Sequence, residues 1–499
     1  MGAAIDDASA DVCLARLSGG GDEPDYEQLR RDSTALLTSA GFAARSPAWQ
    51  ADAIWTVFMR MVSTLHADAG AVAALAAPHF GRLLEDPRVG IPEACRVFDA
   101  LWGMWWCAAS SLDDMRPVYP EVCIPFHRFL ARRGLVASDP SPRDERAGPL
   151  RIGYLLHYAH GQRGNAVAPL VVSLARAHAV LPDRKVFVYA TQWVDEDWLA
   201  AAFSGSGVTT RSVAQRDAYD RLDELFCALR SDALDAVVTD TSSATASVMF
   251  ARRCSSVQVR LDLGMPYWSQ PELDCILLSG KPWRGVYPFP RARAVEIRMN
   301  QERRFLDRAP DAAEVRAARA ELPENATIVG VFTRLIKITP AYFDLMRRVL
   351  MEHPATHLLV GGTGDPRAVQ AFMAKPELAG RVTFLHRNVD LAVYGCAIDI
   401  FIDTFPFIGA LACREIAAQG VPVLSLRSHE WGLKQDQDRD PSSIAEDIPS
   451  FLALIARTVR NPAVRRARAL DAAASLNVVT DVAASAREVD AAIAPLVRR

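Results

Sequence analysis

The spacing of apolar residues changes once along this chain, and that change limits what the chain can fold into. Over residues 27–133, apolar side chains such as Trp55 and Phe58 recur every three or four positions, which predicts an all-α region. Its aromatic segment 98–106 predicts a buried helix seam, with a partner groove as the alternative. Beyond residue 150, short β-branched runs alternate with amphipathic segments, a pattern typical of βαβ units. The polar segment 138–149 between the two patterns predicts a linker.

The strand-like runs fall into two series, each with its own intervening helices. The predicted strands are 150–156, 186–190, 236–239 and 257–261 in the first series, and 327–332, 357–360, 382–385, 398–402 and 421–424 in the second. Strands that alternate with helices form parallel sheets, so we predict an α/β protein with two doubly wound, Rossmann-like domains. A chain of 499 residues suits three domains at about 150 residues each.

The domain boundaries are predicted from the same changes of pattern. An all-α domain covers 1–137, the linker covers 138–149, and the two Rossmann-like domains cover 150–305 and 306–499. The helical, Ala- and Arg-rich segment 444–499 is placed in the second domain, although its pattern would let it cover either sheet.

Charge and composition exclude several classes of protein. The formal net charge is -3, which argues against a general nucleic-acid binder, because such proteins carry a basic excess. The sequence shows neither a long apolar run nor a basic, apolar leader, so we expect a cytoplasmic protein without a membrane span. The nine cysteines are scattered singly, which predicts reduced thiols and neither a disulfide framework nor a zinc site.

Ligands of doubly wound sheets bind beyond the carboxyl ends of the strands, so the loops there hold the candidate site residues. The loop after the strand 327–332 carries Arg334 and Lys337, and Thr339 with Pro340 predicts a helix start. Only five of the 56 basic residues are lysines, which draws attention to Lys337. A cation in this loop could contact a phosphate, and a solvated basic pair is the alternative.

The loop after the strand 398–402 enters a helix through Gly409. A glycine lets a ligand approach the backbone closely, and the N–H groups at a helix N-terminus favour a diphosphate. Thr404, Gly409 and Ala410 are therefore candidate ligand-binding residues. Glu415, about a turn and a half into the helix, could accept hydrogen bonds from ribose hydroxyls.

Both loops resemble those of the O-linked N-acetylglucosamine transferase and SPINDLY family, and especially the bacterial cytoplasmic N-glycosyltransferases that modify adhesins. The resemblance is carried by the segments 332–340 (FTRLIKITP), 394–407 (YGCAIDIFIDTFPF) and 419–423 (QGVPV), and more faintly by 256–266 and 150–154. It implies the GT-B fold, in which two Rossmann-like domains face a cleft. It also implies a UDP-linked hexose donor, a protein acceptor, and no cofactor.

The resemblance assigns a role to three of the candidate residues. Lys337 would contact the donor diphosphate and be catalytic, the Gly409 turn would hold the diphosphate, and Glu415 would stand near the ribose. The family has Asn-Thr-Asn-Gly or His-Thr-Thr-Gly at this turn, whereas this chain has the apolar segment 409–413 (GALAC). Each lost hydrogen bond to a charged group costs about 1.5–3 kcal/mol, which would weaken donor binding.

A second departure lies in the loop 156–165 (LHYAHGQRGN), where the family has a histidine close to the sugar and the acceptor. Gln162 takes that position, which leaves His160 as the candidate catalytic histidine, either as a general base or as a donor to the sugar phosphate. A surface or capping histidine is the alternative. Arg163 and Asn165 are further candidate contacts.

These observations predict a metal-independent, inverting glycosyltransferase that moves a hexose or N-acetylhexosamine from a nucleotide-sugar to a protein side chain. Such sites stabilise the leaving diphosphate with lysine, arginine and helix N-termini. The acidic segments 195–197 and 436–440 are predicted to be solvated surface and not metal ligands. The alternative function is a non-catalytic GT-B scaffold or accessory subunit with a degenerate donor site, which the apolar turn favours.

Overall fold

The computed structural model describes residues 7–19, 25–111, 113–137, 148–159, 167–192, 194–213, 218–240, 243–263, 272–279, 292–428, 435–436 and 439–497. The predicted linker lies almost wholly outside these residues.

The N-terminal region is helical, as the apolar spacing predicted. Its helices are α1 (Asp7–Ser18), α2 (Tyr26–Thr38), α3 (Pro47–Ser63), α4 (Ala69–Glu85), α5 (Ile91–Ala108) and α6 (Ile124–Arg132). Helix α3 begins where the Ser46 side chain accepts the N–H of Trp49, and Pro47 occupies its first turn. The aromatic segment is a buried seam in the main, with Phe98, Met104 and Trp105 inside the core.

A parallel sheet of seven strands follows. It contains β1 (Leu150–Tyr158), β2 (Arg184–Gln192), β3 (Thr209–Ser212), β4 (Ala236–Thr239), β5 (Val257–Asp262), β6 (Cys275–Leu278) and β7 (Arg293–Glu296), in the order β3-β2-β1-β4-β5-β6-β7. Its helices are α7 (Val167–Ala179), α8 (Glu196–Phe203), α9 (Leu222–Ser231) and α10 (Ala244–Ala251). The four predicted strands are confirmed. Three further strands of four residues each, β3, β6 and β7, were not predicted; β3 and β7 are largely exposed at the sheet edges and so lack the continuous apolar run that marks a buried strand.

The second sheet is also parallel and has six strands. These are β8 (Thr327–Phe332), β9 (Thr356–Gly361), β10 (Val382–Leu385), β11 (Ile400–Ile402), β12 (Val423–Leu426) and β13 (Ile444–Ala445), in the order β10-β9-β8-β11-β12-β13. Its helices are α11 (Ala312–Ala320), α12 (Pro340–Glu352), α13 (Arg367–Met373), α14 (Leu391–Ala397) and α15 (Ala410–Ala418). The predicted α/β class with two doubly wound sheets is thereby confirmed.

The closing helices cover both sheets, which settles the choice that the sequence left open. They are α16 (Ile448–Arg460), α17 (Pro462–Val479) and α18 (Val482–Val497). Phe451 and Ile455 of α16 are buried in the core of the second sheet. Val489 and Ile493 of α18 are buried in the core of the first sheet. The chain therefore returns to the first sheet after it has completed the second.

A buried polar cluster ties α18 to the first sheet. The Asp490 carboxylate pairs with Arg184, Nη2 to Oδ2 at 2.8 Å, and lies 3.3 Å from Nε2 of His178. The other nitrogen of His178 lies 2.8 Å from the Tyr154 hydroxyl. Burial acts to raise the pKa of Asp490, but hydrogen bonds from Arg184 and His178 outweigh it and hold this pKa below its usual range.

We expect Asp490→Asn to lower the free energy of unfolding at pH 7 by about 1–3 kcal/mol, because it removes charged hydrogen bonds from a half-buried cluster. A carboxyl with a lowered folded-state pKa stabilises at neutral pH and loses that effect as the pH falls below about 4, so the deficit should shrink in acid. Urea unfolding between pH 3 and 7 measures both. The control is Asp223→Asn, whose carboxylate is 89% exposed beside Arg252; an equal effect of both variants would contradict the assignment.

Candidate functional site

The two loops singled out by the sequence leave neighbouring strands at one edge of the second sheet. Strand β11 pairs with β8, with Ile400 opposite Val329, at the point where the strand order reverses. Such a reversal opens a crevice at the carboxyl edge of a doubly wound sheet. There the Lys337 ammonium donates to the carbonyl oxygen of Ile408 at 3.2 Å and lies 4.2 Å from the ring centre of Phe407. The structure therefore brings Lys337 to the turn that precedes Gly409.

The turn between β11 and α15 is held by the side chain of Asp403. Its Oδ1 atom accepts the N–H groups of Thr404 at 2.9 Å and Gly409 at 2.7 Å. The Thr404 hydroxyl donates to the carbonyl of Phe407 at 2.7 Å, so it is engaged within the turn. A Cβ atom at position 409 would lie 2.9 Å from Oδ1 of Asp403, which explains why a glycine stands there.

Helix α15 starts directly after Gly409, beyond the carboxyl end of β11. Gly409 is the N-cap and makes no side-chain cap. The amides of residues 410–412 form the first turn, where an α-helix supplies no internal acceptor for them. The helix dipole and the nearby Lys337 make the electrostatic potential at these amides positive, which favours an anion, and Ala410 contributes only its backbone.

Beneath this turn, Asp403 forms a buried ion pair with Arg439. Nη1 of Arg439 lies 2.8 Å from Oδ2 of Asp403, and the two side chains are 3% and 1% exposed. Arg439 also donates to the Ser425 hydroxyl and to Sγ of Cys413. Neither partner was predicted from the sequence, because 36 positions separate them and Arg439 stands in the segment 436–440, which was predicted to be solvated surface.

Arg334 lies against the helical region. Its guanidinium carbon is 4.0 Å from the ring centre of Trp106, and Nη1 donates to the Trp106 carbonyl at 3.2 Å. Burial lowers the pKa of Arg334. The contact between Arg334 and Trp106 joins the loop after β8 to α5. A donor-binding role for Arg334 stays a prediction.

The helical region also packs against the turn itself. Phe407 and Ile408 are buried in the same apolar core as the helices α2–α6. On a neighbouring loop, the Tyr26 hydroxyl donates to the carbonyl of Gly364 at 3.1 Å, and Glu27 pairs with Arg367. The helical region thus forms one wall of the crevice.

Glu415 lies on α15 beside a second ion pair. Burial and, to a smaller extent, the nearby Asp390 carboxylate raise the pKa of Glu415 to about 7, against the opposing effect of Arg308. Asp390 and Arg308 form an ion pair with Nη2 and Oδ2 at 2.8 Å. Near neutral pH, Glu415 therefore exists in both protonation states, so it is able to donate to a hydroxyl as well as accept from one. Its ribose-binding role stays a prediction.

The facing edge of the first sheet carries further titratable groups. His157 is buried at the end of β1, whereas His160 and the rest of the loop 160–166 lie outside the described residues. Asp240 follows β4, next to β1 at the reversal point of this sheet, and was not selected from the sequence. Burial raises the pKa of Asp240 to about 6, and Arg260 opposes the shift. The position of Asp240, directly after the buried strand β4, is the sequence feature from which it could have been predicted as a site residue.

The acidic segments have structural roles where the structure describes them. Asp195 caps α8 by accepting the N–H of Trp198, Asp436 pairs with Arg427, and Asp440 accepts the N–H of Ser442. Over the described ranges, no three His, Cys, Asp or Glu side chains are placed to share a metal ion. Among the same residues, no helix is long and apolar enough to cross a membrane.

The fold of this chain is similar to solved glycosyltransferase structures. A mutant of the Thermobaculum terrenum O-GlcNAc transferase superposes with a TM-score of 0.58 at 19% identity, over 98% of each chain. Anabaena Alr3699/HepE in complex with UDP-glucose superposes with a TM-score of 0.50 at 14% identity, over 69% of this chain and 100% of the other. No protein-family model and no curated protein matches the sequence. The likeness shows that the fold is GT-B, as the resemblance implied.

We expect Gly409→Ala to lower the free energy of unfolding by about 1–3 kcal/mol, because the added Cβ would press on Oδ1 of Asp403 and displace the turn. Thermal and urea unfolding measure the change. Gly81→Ala in α4 is the matched control: its Cβ would meet nothing within 4 Å. Alanine favours a helix over glycine by about 1 kcal/mol, so the control should be neutral or stabilising. A neutral Gly409→Ala would show that the turn is not closely packed.

We expect Glu415→Gln to change how stability depends on pH. The pKa of Glu415 is raised in the folded state, so the unfolded chain releases this proton first and the wild-type protein loses stability between about pH 4.5 and pH 7. Glutamine removes that contribution. The free energy of unfolding of the variant, relative to the wild type, should therefore increase as the pH rises to about 7 and then stay constant. Urea unfolding from pH 5 to 8 measures this, with the exposed Glu324→Gln as control. A pH-independent difference would contradict the raised pKa.

Proposed function

We propose that this protein is a glycosyltransferase that moves a sugar from a nucleotide-sugar donor to a protein side chain. The observation that carries the proposal is the approach of Lys337 to the Gly409 turn at the N-terminus of α15. A lysine ammonium group and the first-turn amides of a helix, placed where the strand order reverses, form a site for a diphosphate. The motif resemblance to the O-linked N-acetylglucosamine transferase and SPINDLY family favours a UDP-hexose and a protein acceptor of the kind the adhesin N-glycosyltransferases use.

In the proposed reaction, the sugar's anomeric carbon loses its bond to the diphosphate oxygen and gains a bond to the acceptor atom. Lys337 and the first-turn amides of α15 stabilise the negative charge that develops on the leaving diphosphate. The acceptor attacks from the side of the first sheet, opposite the diphosphate, so the configuration at the anomeric carbon inverts. The acceptor's proton passes to a general base, for which His160 is the candidate. Because a lysine and helix amides stabilise the leaving group, the proposed transfer is metal-independent.

One observation favours a second function, a GT-B scaffold that has lost catalysis. The first turn of α15 carries Ala410, Leu411 and Ala412, none of which has a polar side chain, so only backbone amides are available to a phosphate there. Leu411 instead packs against the apolar core of the first sheet. An apolar contact between the two domains at this place would suit a protein whose cleft binds no nucleotide.

Calorimetric titration with UDP, with GDP as comparator, decides between the two functions. We expect the wild-type protein to bind UDP in preference to GDP, and Lys337→Ala to weaken UDP binding by at least about tenfold, since a charged hydrogen bond contributes about 1.5–3 kcal/mol. The melting temperature of Lys337→Ala, measured in parallel, should fall only by what the loss of its contacts with Ile408 and Phe407 costs, so the variant stays folded at the temperature of the titration. Lys375→Ala, at a lysine that lies over Phe372, is the matched control and should bind normally.

Two results would contradict the proposal, one for the role of Lys337 and the other for the transferase itself. Undiminished UDP binding by Lys337→Ala would remove Lys337 from the donor site. Absence of UDP and GDP binding at millimolar concentrations in the wild type would favour the scaffold.

A further inference from the structure

The buried pair of Asp403 and Arg439 lies directly beneath the proposed diphosphate site. Asp403 opens the turn that leads to α15, and one of its oxygens accepts the amide of Gly409 at 2.7 Å. Its other oxygen lies 2.8 Å from Nη1 of Arg439, and neither side chain is more than 3% exposed. A carboxylate is therefore held one amide away from the N–H groups that would receive the donor.

The hydrogen bonds of Asp403 set the shape of the turn. Because its Oδ1 atom engages the amides of Thr404 and Gly409, the first amide open to a ligand is that of Ala410. Arg439 fixes the position of Asp403 from behind. It also reaches Sγ of Cys413 at 3.1 Å, on the inner side of α15, and the hydroxyl of Ser425 on β12. Arg439 thus joins the turn, the helix and the neighbouring strand.

The charge of Asp403 creates a second requirement. A buried carboxylate is screened only weakly by salt, so without compensation its field would repel a diphosphate bound at the start of α15. The guanidinium of Arg439 compensates that charge at close range. With the pair formed, the helix dipole and Lys337 both contribute to the field at the turn, and both attract an anion.

We propose that Arg439 is a positioning residue for the donor diphosphate, which fixes the Asp403 turn and neutralises its carboxylate so that α15 presents a positive field. The inference rests on the proposed function and assigns Arg439 no contact with the donor. It gives a buried arginine, 99 positions beyond the end of the segment 332–340 that contains Lys337, a part in donor binding.

A purely structural pair and a charge-compensating pair make opposite predictions for one variant. In Asp403→Asn, the amide oxygen still accepts the two backbone N–H groups, while the negative charge is removed. Loss of a structural ion pair would weaken anion binding. Loss of the repelling charge, with Arg439 retained, would leave binding unchanged or strengthen it. The variants Arg439→Met and Asp403→Asn, alone and combined, separate the two because Lys337 is the same in all of them.

The test is calorimetric binding of inorganic pyrophosphate, a probe of the turn that does not depend on a nucleoside, with UDP measured in parallel. We expect Arg439→Met to weaken pyrophosphate binding by about tenfold or more, Asp403→Asn to bind as tightly as the wild type or more tightly, and the double variant to recover most of the loss. A double variant no better than Arg439→Met, or a weakened Asp403→Asn, would overturn the inference.

The remaining outcomes also decide the role of Arg439 or the identity of the donor. If Arg439→Met does not fold, Asp403→Asn and the double variant carry the test, because neither leaves a carboxylate buried without its partner. A wild-type protein that binds no pyrophosphate overturns the inference. A wild-type protein that binds pyrophosphate competitively at this turn but binds neither UDP nor GDP contradicts the proposed donor, while the behaviour of the variants still decides the role of Arg439.

Discussion

The parallel pairing of β8 with β11 places every other part of the candidate site. The two strands are neighbours at the centre of the second sheet. The chain forms β9 and β10 on one side of β8 before it returns to form β11 on the other side. Gly330 in β8 permits this arrangement, since a Cβ there would lie 2.6 Å from the side chain of Ile398, which precedes β11. Because both strands point the same way, the Lys337 loop and the Gly409 turn emerge together although about 70 positions separate them.

Around that crevice, the helical region and the last helix connect the two sheets. The core of the helical region is continuous with residues of the first sheet and with Phe407 and Ile408 of the second. Asp99 of α5 accepts the Tyr219 hydroxyl and the N–H of Ala244, so the helices are also joined to the first sheet by polar contacts. Helix α18 adds a connection on the opposite side of the first sheet. The turn residues Phe407 and Ile408 thus share one apolar core with the helical region and the first sheet.

The chemistry of the site combines a retained electrostatic frame with a reduced set of polar side chains. Lys337, Gly409 and the buried Asp403–Arg439 pair form the frame, and they act through charge and backbone amides. The hydroxyl and amide side chains that the resembled family carries at this turn are replaced by apolar ones. Backbone amides bind a phosphate without regard to side-chain identity, so a donor site built on them would tolerate these replacements better than a site built on side chains.

The amino-acid sequence by itself determined the elements of this protein. The change of apolar period predicted the helical region, both parallel sheets and the loops that hold Lys337, Gly409 and Glu415, because these features depend on short-range spacing and on turn chemistry. The roles of His160, the domain boundaries and the cytoplasmic location stay predictions.

Only the tertiary structure decided which side chains meet across long distances in sequence. It placed Arg334 on Trp106 and Glu415 beside Asp390, and it brought Arg439 beneath Asp403. It also sent α18 back to the first sheet. Such contacts depend on how separate elements pack against one another, and no local pattern in the chain encodes which buried charge will find which partner.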